Sequence, residues 1–353
     1  GGCAVERFDL PMSSTNQRAD SVSGDYQVLP TPSDSASCIK FAPSQDRFAI
    51  TAWDSSAMVF SYSKDGAHLQ SQLVSKMTQN PHTLPVLCCA WSPDNAKLAT
   101  GAVDKTAKVW DISTGVTERF ATHDQPIKSL HWIPSRSMVV TGSWDKTLKY
   151  WPTATMGDCK AAASVTLSER IYAMDVKDET AVVACADRVI HTFDLRSPTV
   201  PIKTHQSPLR HQIRTVALFH DLKGYAIGSI EGRVHIHHYA EADAKSNFAF
   251  KCHRDPNNQD IYAVNQIVFH PTWGTFCTVG SDGTFNFWDK EAKQRLRGFP
   301  RLQNSISSAD FSYDGDVFGY TVAYDWSRGY EPRSGEGEST WLHVVQESEL
   351  RPR

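Results

Sequence analysis

The sequence predicts an all-β protein, a seven-bladed WD-repeat β-propeller, and three observations carry that prediction. The first is a recurring motif. TGAVDKTAKVWD at 100–111, TGSWDKTLKYWP at 141–152 and VGSDGTFNFWD at 279–289 each place an aromatic residue six positions after an acid. Weaker copies are TAWDSSAMVF at 51–60, ACADRVIHTF at 184–193 and GSIEGRVHIH at 228–237. Together they put Asp54, Asp104, Asp145, Asp187, Glu231 and Asp282 in one register, followed by Phe60, Trp110, Trp151, Phe193, His237 and Trp288. The second is spacing. These acids lie 50, 41, 42, 44 and 51 residues apart, and a seventh, Asp325 in VAYDWSRGYE, follows after 43. That is about the period of a four-stranded propeller blade. The third is length, since 353 residues suit one closed propeller with blades of roughly 40–45 residues.

Each unit repeats one anatomy. An apolar run ending in a turn comes first, as in CCAWSPDNAKLATG, SLHWIPSRSMVVTG and QIVFHPTWGTFCTVG. Alternation follows in KTAKVWD and KTLKYWP, the period of a half-buried strand. Turn residues such as SPDN and DK join the runs. The acid therefore sits between two strands and the aromatic closes the second. A buried indole N–H and a buried carboxylate both need partners, and Ser143, Asp145 and Trp151 with His123 form the best set to supply them. A serine, histidine and aspartate that recur with a blade period brace the blade; a catalytic triad needs only one copy. No catalytic residue is expected.

The domain reading is a flexible N-terminal arm over 1–34, rich in Ser, Asp, Pro and Thr, then a propeller over 35–346 and a solvated tail over 347–353. In the last unit, EPRSGEGEST reads as a loop and WLHVV as a strand, either the last of its blade or the one that closes the ring.

Composition excludes several classes. No run of 18 apolar residues occurs, so no membrane insertion is expected. The eight cysteines stand at 3, 38, 88, 89, 159, 185, 252 and 277 with no C-x-x-C pair, which fits a reducing compartment and neither a zinc nor a disulfide framework. HIHH at 235–238 lacks a carboxylate or thiol placed to complete a metal site, so no metal is expected. GSDG and GSIEG are turns that match no phosphate loop, so neither a cofactor nor a small-molecule substrate is expected. Charge is uneven. Residues 1–195 hold 18 Lys/Arg against 21 Asp/Glu, residues 196–305 hold 14 against 9, and residues 306–353 hold 4 against 9. The central basic stretch points to an acidic partner or a nucleic-acid backbone, or is an ordinary solvated surface.

The stretches DIYAVNQIVFHPTWGTFCTVGSDGTFNFWDK, NFAFKCHR, SPLRHQIRTVALF, GSIEGRV, HDQPIKSLHW, TGSWDKTLKYW and YDWSRGYE together resemble one WD-repeat family, the mRNA export factors of the nuclear pore (Gle-two type). The resemblance runs from about residue 37 to 331. A sister family, the mitotic checkpoint propeller of the Bub-three type, shares F-x-C-H-R and GRV, while YDWSRGYE and TGSWDKTLKYW favour the export factor. TGAVDK lacks the motif serine, His237 replaces an aromatic, and the acidic loop over 332–340 departs from the family end.

The resemblance implies a non-enzymatic adaptor that binds the GLEBS motif of a nucleoporin, a hairpin whose acidic residues pair with cations on the propeller. By motif matching the partner-binding residues are Arg214 in HQIRTVAL, Arg233 in GSIEGRV, Lys251 and Arg254 in FAFKCHR, and Trp53 in ITAWDSS as an aromatic anchor. Arg233 as a plain turn residue and Trp53 as an inter-blade packing residue stay open beside these roles. The family's association with single-stranded RNA falls here on Lys290, Lys293, Arg295, Arg297 and Arg301, a cationic run able to hold phosphates. No aromatic stacking set is legible in that run, so no base sequence is expected to be read. The implied localisation is nucleus and nuclear pore, also cytoplasm. Two alternatives are a spindle-checkpoint adaptor binding GLEBS-like motifs at kinetochores, and an RNA-binding propeller acting without the nucleoporin.

Overall fold

Alternation in KTLKYWP becomes a strand over Thr147–Pro152, with Leu148, Tyr150 and Trp151 buried, and its neighbour Met138–Ser143 turns back through Trp144 and Asp145. The same antiparallel meander recurs throughout a computed structural model that describes residues 19, 21–255, 259–325 and 338–352. Seven four-stranded sheets result, and the fold is a seven-bladed β-propeller. Among the described residues no helix is long and apolar enough to cross a membrane.

The chain divides into two compact units, residues 28–207 and residues 1–27 with 208–353. The first holds blades one to four, whose first strands are Ala36–Phe41, Val86–Trp91, Ile127–Ile133 and Ile171–Lys177. Its apolar clusters form between neighbouring blades, as where Cys38 and Ala49 meet Trp91 and Leu98. The second holds blades five to seven. Blade five comprises Ile213–Leu218, Gly224–Ser229, Arg233–His238 and Phe248–Lys251. Blade six comprises Val264–Phe269, Phe276–Gly280, Phe285–Asp289 and Gln294–Gly298. Its core is phenylalanine-rich, with Phe285 stacked on Phe299 at 3.9 Å between centroids.

One local device appears in every blade. The first strand slips register at its second residue, a β-bulge at Ser37, Leu87, Lys128, Tyr172, Arg214, Asn265 and Ser307. A bulge leaves one residue out of the ladder and re-aims its side chain. Ser37 and Asn265 use that freedom to donate to the carbonyls of Val86 and Ile306 in the following blade.

Blade seven differs from the sequence reading. Its strands are Ile306–Phe311, Val317–Val322 and Ser339–Val344, and the fourth is Tyr26–Gln27 from the N-terminal part of the chain. WLHVV thus belongs to the third strand, and closure comes from inside the stretch read as a flexible arm. Val22 is only 7% exposed, and Asp25 accepts from Tyr320 Oη at 2.6 Å. The tail is also packed. Glu347–Leu350 forms one helical turn with Leu350 fully buried. Its Glu349 meets His343 Nε2 at 3.0 Å, while His343 Nδ1 meets Asp25 at 2.6 Å. Val22 and Leu350 join the apolar core around Phe285 and Tyr320, and the charge network adds to it, in segments too short to show a period in the sequence. The loop read over 332–340 lies largely outside the described residues, as does YDWSRGYE beyond Asp325.

Candidate functional site

Histidine–aspartate pairs are the first groups to weigh as chemistry, and the structure spends them on bracing. In blade three His123 Nδ1 lies 2.8 Å from Asp145 and its Nε2 lies 2.7 Å from Thr141 Oγ1, which also accepts from the Trp151 indole at 2.8 Å. A carboxylate only accepts, so Nδ1 carries the proton and the threonine hydroxyl donates to Nε2. Burial lowers the pKa of His123 against the pull of Asp145, in keeping with a neutral ring. Blade six repeats the set with His253, Asp282, Thr278 and Trp288. Threonine is the node in both. Ser143, placed there from the sequence, instead donates to the Gln125 carbonyl and accepts from the Asp145 N–H. Cys88 and Cys89 are both buried, and burial pushes the Cys88 thiol up to about 12, far from a reactive thiolate.

Blade five gathers the cations. Its turn acid Glu231 precedes Gly232, which sits at φ +60° with room for no side chain, since a Cβ would stand 2.6 Å from the Cys252 carbonyl and 3.0 Å from that of Tyr262. That close approach brings the turn against residues 252–254. Arg233 and Lys251 are register partners across neighbouring strands, and Lys251 is exposed. Arg233 Nε is 3.5 Å from Glu231, and Arg254 donates to the Glu231 carbonyl at 2.6 Å. His211 Nε2 stands 3.9 Å from the same carboxylate and the Arg210 N–H donates to it at 3.3 Å. Burial, then the like charge of Arg233, lowers the pKa of Arg254. Nε of Arg233 and Nε of Arg254 are buried donors with no hydrogen-bond acceptor among the described residues. Arg233 and Arg254 thus meet at Glu231, one at its carboxylate and the other at its carbonyl, with exposed Lys251 in register beside Arg233, a cationic surface suited to an acid.

The structure brings Arg233, Lys251 and Arg254 together and sets Arg214 apart. Arg214 is the bulge residue of its strand, largely desolvated, and burial lowers its pKa against the opposing charge of Asp325. Asp325 in turn accepts from Ser281. No hydrogen bond or ion pair joins Arg214 to the Glu231 cluster among the described residues. Trp53, in the other unit, is 36% exposed in the turn before Asp54, and its N–H donates to the Ser35 carbonyl at 2.9 Å. His211 and the meeting of Arg233 and Arg254 at Glu231 went unseen in the sequence. A glutamate in a register that otherwise holds aspartate was the one available signal.

The run from Lys290 to Arg301 is not a single track. Lys290 pairs with Glu291 and lies 4.8 Å over Phe219, and Lys293 lies 5.0 Å over Phe248. Arg295 donates to Asn286 at 3.3 Å, and burial lowers its pKa. Arg297 pairs with Glu349 at 3.2 Å and lies over Phe299. Arg301 stacks on Tyr262 at 5.0 Å and donates to its hydroxyl at 2.8 Å. Their aromatic partners are Phe299 within the run and Phe219, Phe248 and Tyr262 outside it.

Comparison with known proteins adds the following. The WD domain, G-beta repeat family matches residues 73–111 and 115–152. The chain is 40% identical over 344 residues to the Poly(A)+ RNA export protein of Schizosaccharomyces pombe, covering 97% of this chain and 96% of that one. It is 45% identical over 332 residues to Protein RAE1 of Arabidopsis thaliana, covering 93% of each. It is 40% identical over 342 residues to the mRNA export factor of Xenopus tropicalis, covering 93% of this chain and 91% of that one. A solved structure of RRP9 WD40 repeats shares the fold with a TM-score of 0.74 at 16% identity, covering 92% of this chain and 98% of that one.

Proposed function

The chain belongs to the WD-repeat family of mRNA export factors, and on that footing we propose that it is a non-enzymatic adaptor in mRNA export that captures the acidic GLEBS segment of a nucleoporin. The blade-five cluster carries the reading. Arg233 lies 3.5 Å from the Glu231 carboxylate, Arg254 donates to the Glu231 carbonyl, and Lys251 is the register partner of Arg233. The Arg233 side chain stays 25% exposed and Lys251 is exposed, so both can meet an incoming carboxylate. A guanidinium fork grips such a carboxylate through two parallel bonds. Arg214, whose charge already faces Asp325, and the partly exposed Trp53 are further proposed contacts.

Exposed Arg297 and half-buried Lys293 are the cations of the 290–301 run proposed to hold single-stranded RNA through phosphates, with affinity falling as salt rises. The site of action is the nuclear pore, with passage through nucleus and cytoplasm. Capture of a GLEBS-containing nucleoporin fragment tests the reading. Arg233→Glu combined with Lys251→Glu is expected to weaken capture about tenfold or more at an unchanged melting temperature. Wild-type capture by that folded variant removes the assignment.

A further inference from the structure

The geometry points to Glu231 as a specificity-determining residue, a built-in carboxylate that occupies the acid-recognising cluster and limits how tightly an acidic peptide is held. The inference rests on the reading above that an acidic segment binds there.

Like blade five, blades one and four lack a histidine 22 residues before the acid, with Pro32 and Val165 there, but their acid is an aspartate. The contrast with blades two and three shows what blade five does differently. In blade two, Asp104 is consumed locally: Thr106 and Thr83 donate from their backbones at 3.0 and 3.2 Å, and His82 stands at 2.8 Å. In blade three, Asp145 receives the same three contacts from Thr147, Asp124 and His123. Blade five changes two residues at once. Its acid is longer by one methylene, and the position of His82 and His123, 22 residues before the acid, holds Leu209, which is 3% exposed. Glu231 keeps only the backbone contact 21 positions back, from Arg210. Its other oxygen lies 3.5 Å from Arg233 and 3.9 Å from His211, while Arg254 grips its carbonyl. The side chain stays 16% exposed, so the charge borders the surface that an incoming carboxylate must reach.

Two consequences follow. Glu231 keeps like-charged Arg233 and Arg254 close together before any partner arrives. It also takes part of their charge and repels every carboxylate that approaches them, so a weakly acidic segment is refused.

Titration of the purified full chain with a synthetic GLEBS peptide, and with a copy whose glutamates are glutamines, tests this. Glu231→Gln deletes the charge while keeping an oxygen for the Arg210 N–H. It is expected to bind the acidic peptide about fivefold tighter, with no gain for the neutral copy. Glu231→Asp, which draws the carboxylate back to the length used by other blades, is a second variant expected to tighten binding in the same sense. Unchanged or weaker binding by both at the wild-type melting temperature overturns the proposal. The Arg233→Glu, Lys251→Glu variant separates the two failures. If it weakens binding while neither Glu231 variant tightens it, only the role of Glu231 falls. If it binds normally, the acid-binding reading fails and this inference fails with it.

Discussion

Thr141 gives one hydroxyl to two ring nitrogens, accepting from Trp151 and donating to His123. Thr141→Val keeps the shape and orphans both partners in a buried site. A loss of about 2–4 kcal/mol is expected in urea unfolding, against roughly 1 kcal/mol for Ser143→Ala. Equal losses would contradict the bonding described. The sequence pointed to Ser143 because it lies nearer to Asp145, yet strand register excludes it. Val139 pairs with Trp151 and Thr141 with Lys149, so Thr141 is the diagonal neighbour of the indole and Ser143 lies beyond reach at the turn. The same lesson applies to Glu231. Its place in the acid register was legible, but its role depends on Leu209 and on side chains from three other segments.

At the scale of elements, apolar runs, turn residues and alternation pointed to the inner strands of the repeat, clearest in blades two, three and six, because a half-buried strand writes its period into the sequence. The outer fourth strands were not located. Tyr26–Gln27 and Glu347–Leu350 escaped, being too short for any period and held by charge. Their network predicts a pH dependence. Burial alone would lower the pKa of His343, but the carboxylates of Asp25 and Glu349 raise it to about 9. The folded state therefore binds the proton more tightly than the unfolded chain. The stabilisation is fully present below the ordinary value of 6.5 and is lost as pH rises towards 9. Glu349 has the opposite sense. Its pKa is lowered on balance by the bond from His343, so its share is present above 4.5 and lost in acid. Melting temperatures of the wild type should fall from about pH 6.5 to 9, and His343→Gln should remove that part of the slope. A slope unchanged by the substitution would show that this network does not couple closure to the proton.

At the scale of the whole molecule, seven repetitions of one sheet leave function to the departures from the repeat. The repeat was legible because five blades bury an aromatic six positions after the turn acid, Phe60, Trp110, Trp151, Phe193 and Trp288. The cluster was legible only in part, since Arg233, Lys251 and Arg254 came through motif resemblance while the meeting of Arg233 and Arg254 at Glu231 depends on the approach allowed by Gly232. Amide hydrogen exchange of the full chain with and without the GLEBS peptide tests the central claim most directly. The account predicts slowed exchange over residues 230–234 and 250–254 when the peptide is bound. Saturating peptide that leaves those amides unchanged, with protection confined to residues 290–301 or to other blades, would contradict it.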